Sequence, residues 1–561
     1  MTKIYYIANT IFISCFLGFG IVASAQTIPV KRDTSRNAVT EEIDVVRSYK
    51  PVLADAVKIR RSPDLNDTKP FNPKLSYNLL DKRLELNSGI RELEAQKLAQ
   101  QKAEDLQNNY AKLGFGNLGT TLGQINIATG QDEALQAGFN FNHLGMSGKL
   151  NQQKISQQEI GGYGRSIGDA MVLEGKLSYN RRSTYFYGID PNATFTNLDP
   201  EQQKFNYFEG EGLLFNRTDA ADETALTYAG KIGASIFNNA FSAKENSFFL
   251  SGGVGKDLNK VRVGANGIVD FTSSKDVSVT FNNNLFRINP YLQYQTDLIR
   301  LTAGINYVNE FGTNQRIHFF PAASLDFMLI KNYLTIFGSF GGDVEKTKLK
   351  TLTDLNPYLA ENINLRNAVN KFDAAGGIRG TFAANVGYKA MVSYQTVTDL
   401  SYFINNSITP QKFNVDYFNG NMNILGFTGE LNMNFSDAFN LDSKISLKQY
   451  DNSVEQYAWL RPSFTLSSNA SFKIADKVKL DGDLYFQGDT KAKMISNDPI
   501  PVVTVKNIKA FADLSVGASY QYNKQIGAFF KVNNLLGTEY NKYPYYPNYG
   551  INILGGISYG F

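Results

Sequence analysis

The chain has 561 residues, 43% of them apolar and 13% aromatic, which is enough for several soluble domains, yet no linker, low-complexity tract or charge block divides 113–561. A net charge of +4 is too balanced to indicate nucleic acid, and a single cysteine, Cys15, excludes a disulfide scaffold.

The chain opens with Lys3, the apolar run "IFISCFLGFGIVASAQ" and the small-residue site Ala23-Ser24-Ala25. That order predicts a secretory signal peptide over 1–25, cleaved near Ala25 to leave Gln26 first. Cys15 lies inside it, so the mature chain is expected to carry no thiol.

Residues 26–106 differ in composition from 107–561. They carry 28 charged residues in 81, against 79 in the next 455, together with Pro51, Pro63, Pro70 and Pro73. Only "ELEAQKLAQQKAEDLQ" (92–107) has helical spacing, at Leu93, Leu98, Ala99, Ala103 and Leu106. This predicts a charged periplasmic or lumenal segment with one polar helix.

From 107 the pattern changes to period two. In "KVKLDGDLYFQ" (477–487), Val478, Leu480, Leu484 and Phe486 share one face, opposite Lys479, Asp481, Asp483, Tyr485 and Gln487. "LDSKISLKQY" (441–450) and the terminal "INILGGISYGF" behave likewise. Many such segments reach about ten residues, the length of a tilted membrane strand. The 31 Tyr and 40 Phe suit interfacial girdles. The fold class is therefore all-β: a transmembrane antiparallel β-barrel over 107–561.

Short polar turns at Gly168-Asp169, Asp219, Leu258, Asp297, Asn332, Asn385, Asp437, Asp476 and Lys524 alternate with long connections at 188–204, 344–370, 488–501 and 537–549. Short turns on one rim and long loops on the outer one are the bacterial arrangement. Twenty-one strands read clearly and "NNYAKLGF" (108–115) adds one. Bacterial barrels are even-numbered, so about 22 strands are expected, with 18–20 as the alternative.

No motif carries catalytic chemistry. "GGVGKD" (252–257) lacks the first Gly and the Ser/Thr of a phosphate loop. His143 and His318, the two histidines, have no nucleophile pattern nearby and read as solvated rim residues. Asp190 and Asp354 fall in loops without calcium-site spacing. Neither an enzyme nor a cofactor or metal site is expected. Lys444, Lys448, Lys479, Asp481, Asp483 and Lys531 fall on wet strand faces as lumen-lining candidates, set either to meet the charged segment or to pair along the wall.

The chain stops on Tyr559-x-Phe561, inside an alternating strand. A last strand must pair with the first, because unpaired backbone has no place in lipid. The ending resembles the signal by which the barrel-assembly machinery recognises outer-membrane barrels. More widely, "NNLLGTEYNKYPYYPNYGINILGGISYGF" (533–561) resembles the end of TonB-dependent receptor barrels, through Asn534-Leu535-Leu536, Tyr540, Pro547, Gly550 and Phe561. The resemblance is specific over about 30 residues and implies a 22-stranded barrel, an outer-membrane location, contact with lipid and import of a ligand. The plug of that family is shortened or missing, since 26–106 are few and polar. "EEIDVVRSYKPV" (41–52) resembles a TonB-contact segment, at Glu41, Glu42, Ile43, Asp44, Val45 and Val46. Two functions stay open: a ligand transporter of the receptor type, or a scaffold barrel of a larger complex whose N-terminal segment docks TonB or another periplasmic partner. A lumen this wide needs closing. Either 41–66 enters it, or long outer loops, above all 344–370, fold inward.

Overall fold

The computed structural model describes residues 109–561 except 130–133, 191–198, 218–224, 384, 436–437, 476 and 497–501. The signal peptide expected over 1–25, the charged segment 26–106, the helix expected over 92–107 and Glu41–Val46 lie outside the described residues.

Twenty-two antiparallel strands form one closed sheet. The first, Tyr110–Gly116, pairs with the second on one side and with the last, Asn552–Gly560, on the other, from Tyr110↔Gly560 to Gly116↔Leu554. This pairing leaves no free edge at the first or last strand, as a bilayer demands. Side chains alternate accordingly. In the last strand Ile553, Ile557 and Tyr559 point outward and are exposed, while Asn552 and Leu554 are buried on the inner face. The same alternation puts Leu292, Ile305, Leu325 and Leu480 on an apolar outer surface.

The rim that carries the C-terminus has short turns at 168–170, 259–260, 296–298, 331–333 and 522–525, as expected. Asn259 and Asn332 take positive φ there (61° and 68°), a conformation that Asn accepts more readily than most residues. Asp219, Asp437 and Asp476 lie outside the described residues.

The opposite rim carries the long connections. Those foreseen at 344–370 and 488–501 are present, and 399–420 is a further one that the turn spacing concealed. Two of these connections build a four-stranded sheet beyond the wall, in the order Phe413–Tyr417, Ser401–Asn405, Thr490–Ser496, Val502–Ile508. The connection 346–367 holds a short helix, α1 (Leu349–Leu355).

The wall splits between two neighbouring strands, one of them carrying Pro321. The ladder between Arg316–Ile330 and Leu334–Glu345 runs upward only to Ala323↔Phe340. Two residues beyond lies Pro321, which has no N–H to donate. On its other side the same strand stays paired without a break, through Ile305↔Pro321. Above the break, Gly341 and Asp343–Glu345 stay paired with Ala368–Asp373, with a bulge between Gly341 and Asp343. This hairpin end leans inward over the neighbouring strands. Val344 and Val369 are buried with Leu285, Val308 and Phe320 in a local second layer.

Candidate functional site at the outer mouth

The outer connections converge inside the barrel mouth. Phe205, Phe237 and Phe281 project inward from three wall strands, opposite in parity to the exposed Phe208, Ile236 and Leu292. Against them pack Phe186 and Tyr187 from one loop, Leu349, Leu352, Tyr358 and Leu365 from 346–367, Phe413 from 399–420, and Tyr543 and Tyr546 from 534–551. Burying large side chains this way contributes about 1.5–3 kcal/mol each. The loops thus form a cap with a core of its own.

Polar contacts tie the cap to the wall. The first N–H groups of a helix have no partner within it. In α1 those of Leu349 and Lys350 are donated to the Glu245 carboxylate, at 2.7 and 3.2 Å, and Ser274 Oγ donates to the same carboxylate at 2.8 Å. Glu245 projects inward from the strand Lys244–Leu258, so α1 is capped by the wall. Its negative charge also suits the positive end of the helix. At the base of the loop, Lys346 and Lys348 reach Asp270 at 2.6 and 3.3 Å. Asn283 and Asn367 exchange side-chain amide bonds at 2.7 and 2.8 Å.

Beside them Glu310, 1% exposed, accepts from Arg316 at 2.9 and 3.1 Å, from Asn367 at 2.8 Å, and meets His318 Nε2 at 3.0 Å. A buried carboxylate without such partners would cost several kcal/mol. His318 is therefore no solvated rim residue. It faces inward and stacks on Phe320, and its sequence position gave no sign of the long-range contact. His143 likewise lies within a strand, 3.1 Å from Thr121 Oγ1 and 3.3 Å from Gln158 Nε2.

Two further contacts knit the loops to each other. Lys412 Nζ joins Glu201 (2.9 Å) to Glu361 (2.8 Å) and lies 4.3 Å from the centre of the Phe241 ring, with its side chain 6% exposed. It thereby links three separate connections. Tyr358 stacks on Tyr546 at 3.6 Å, and Tyr187 donates to the Pro547 carbonyl at 3.1 Å. Burial pushes the phenols of Tyr358 and Tyr546 well above the ordinary tyrosine value. The Tyr-rich stretch near the C-terminus was a visible signal for this cluster. Glu245, Glu310, Arg316 and Lys412 had none, being single charges in alternating or loop sequence.

The charged residues singled out in the sequence lie elsewhere. Lys444 pairs with Glu430 across neighbouring strands (3.2 Å), Lys479 with Asp481 (3.2 Å) and Lys531 with Asp483 (3.4 Å). Lys444 and Lys448 alternate with the exposed Leu447, and Lys531 with the exposed Phe530, so they occupy the inner face but take no part in the cap. Tyr559 and Phe561 are exposed on the outer face at the C-terminal rim, and the Phe561 N–H donates to the Asn109 carbonyl at 3.1 Å.

No protein-family model matches the sequence, and no curated protein matches it. Solved structures do. The FrpB iron transporter of Neisseria meningitidis aligns with a TM-score of 0.62 at 8% identity, covering 82% of each chain. The siderophore receptor PirA of Acinetobacter baumannii aligns at 0.58 and 10%, covering 82% of this chain and 81% of PirA. The ferric-catecholate import receptor Fiu of E. coli gives 0.58 and 10%, with 82% of each chain covered. These proteins are receptors and transporters rather than enzymes. At such identities the likeness is one of fold alone, that of the large antiparallel barrel described above.

Proposed function

We propose that the chain is an outer-membrane transport barrel of the TonB-dependent receptor type, which admits a ligand through a mouth closed by its own loops. The observation that carries this reading is the cap. A barrel of this bore has more interior than its own side chains can fill, and four connections pack together inside its mouth, tied to each other and to the wall through Lys412, Glu245 and the Tyr358–Tyr546 stack. The fold neighbours include a siderophore receptor and a ferric-catecholate import receptor, so an iron chelate is the first ligand class to test. Delivery would come after cleavage near Ala25, and Tyr559 and Phe561 would present the insertion signal to the assembly machinery. Glu41–Val46 would meet TonB on the periplasmic side. Uptake of radiolabelled ferric siderophores by cells with and without the gene, and with and without TonB, tests this. Uptake that needs both supports the reading, and uptake indifferent to the gene for every chelate contradicts it.

A scaffold role is the second reading, favoured by the extramembrane sheet whose edge strand Val502–Ile508 leaves Val502, Val503 and Val505 exposed. Co-purification of a stoichiometric partner with the intact chain, lost on substituting Val503 and Val505 by Lys, would support it.

A further inference from the structure

We infer that the split in the wall is a zipper that moves the cap. In this structure Gly341–Glu345 lean inward, and the proposed second state has them paired with Phe320 and its neighbours as a continuous wall. The inference rests on the transport reading for its purpose, and on four observations for its mechanism.

The first is the free edge. Among the described residues, Ile317–Ala322 have no ladder partner on the side of the split, where the register ends at Ala323↔Phe340. Continued upward, that register sets Phe319 opposite Val344 and His318 opposite Glu345. Second, the two-residue count along Leu334–Glu345 carries through the split, although the pairing with Ala368–Ala383 bulges between Gly341 and Asp343. Ile336 and Phe340 face outward and are exposed, and by parity Val344 belongs to the same lipid-facing row. Yet Val344 is 1% exposed, its outer face laid on the inner faces of Val308 and Phe320. Phe319, the residue it would stand beside in a zipped wall, is 69% exposed. The segment therefore has a sequence suited to the wall and a place inside it.

Third, the carbonyls that give up the ladder are caught by side chains. Asn306 Nδ2 donates to the Gly342 carbonyl at 3.0 Å and Arg287 Nη2 to that of Val344 at 2.8 Å. These contacts replace ladder bonds, so the Gly342 and Val344 carbonyls keep partners in the inward state. Fourth, the bend falls on Gly341-Gly342. A Cβ at Gly342 would stand 2.5 Å from the Phe320 ring and 2.8 Å from the Asn370 carbonyl, so only glycine fits the inward state there. The strand leads directly into 346–367. Zipping it to Arg316–Ile330 draws the base of that loop toward the wall, away from Asp270 and Glu245, and with it α1 from the mouth. Two arrangements of one packed element, rather than a gradual deformation, is how such a switch is built.

Cross-linking tests this in a Cys15→Ser background, which leaves no native thiol. Phe319→Cys with Val344→Cys reports the zipped state, and Ala323→Cys with Phe340→Cys, already paired, reports access of the oxidant. The expected result is a 319–344 disulfide that forms slowly in the full chain in its membrane. Gly342→Val, which crowds the inward state, and Pro321→Ala, which restores the missing donor, should each accelerate it about tenfold or more. No 319–344 cross-link in any background, with the 323–340 bond forming readily, overturns the zipper. So does a cross-link whose rate neither substitution changes, since the thiols would then be meeting by general loosening. The disulfide needs no ligand, so failed chelate uptake and a failed cross-link are separate results.

Discussion

Glu245 accepts the backbone N–H of Leu349 at 2.7 Å, and these residues are 104 positions apart. A wall carboxylate thus ends a loop helix that has no side-chain cap of its own. Replacing Glu245 by Ala strands two helix N–H groups and the Ser274 hydroxyl, at about 1–3 kcal/mol for each group left unsatisfied. Trypsin should then cut the intact, membrane-inserted protein at Lys348 or Lys350 at least about tenfold faster, since cleavage tracks local opening. Glu245→Gln keeps an acceptor and should show a smaller rise.

Lys412 joins the loops that hold Glu201 and Glu361. Lys412→Met keeps the aliphatic packing on Phe241 and removes the charge. Glu201 is well exposed and rehydrates, so the loss should be about 1–2 kcal/mol rather than that of a fully buried pair. Hydrogen exchange should show faster opening in 186–190, 346–367 and 399–420 together, with the wall strands unchanged.

The buried phenols impose a pH limit. The folded-state values of Tyr358 and Tyr546 lie above those of the unfolded chain, so the stability they contribute is complete below about pH 10 and is lost as pH rises beyond it. In an alkaline titration followed by tyrosinate absorbance, these phenols should ionise only as the cap opens. Tyr358→Phe should remove part of that late step.

Phe561 lies exposed at the rim, where its N–H pairs with Asn109 and its ring stacks on Tyr559. It contributes little to burial, so the role proposed for it, in insertion, is separable from stability. Deleting Phe561 should lower the amount of heat-modifiable, membrane-inserted protein severalfold while leaving the unfolding of the inserted fraction nearly unchanged. Normal insertion at the normal rate would refute the recognition role.

The sequence carried the barrel in its local pattern. Ile553, Ile557 and Tyr559 against Asn552 and Leu554 are an inside and an outside written two residues apart, and the short turns at Asp297 and Asn332 fix the hairpins. The cap was legible only as long loops, because its contacts, such as Glu245 with Leu349 or Tyr187 with Pro547, join residues 104 and 360 positions apart. The loop 346–367, offered by the sequence as the alternative to 41–66 for filling the lumen, packs inside the mouth. The other, through 41–66, lies outside the described residues. The wall split was invisible because alternation continues unbroken to Val344, and only Pro321 marks where the ladder fails. His318 was misplaced for the same reason: a period-two pattern gives its face but not Glu310 beside it.

If the cap held by Glu245 and Lys412 is the barrier at the outer mouth, loosening it must open the lumen to solutes from outside. This is read by labelling one inner-face thiol, Ser324→Cys in the Cys15→Ser chain, with a membrane-impermeant maleimide added to intact cells. Ser324 lies on the face opposite the exposed Leu325, below the cap. Labelling should be slow in this chain and at least about tenfold faster when Glu245→Ala and Lys412→Met are combined with it, in line with roughly 1.4 kcal/mol or more lost from the closed state. Equal rates in the two proteins would contradict a barrier made by the cap.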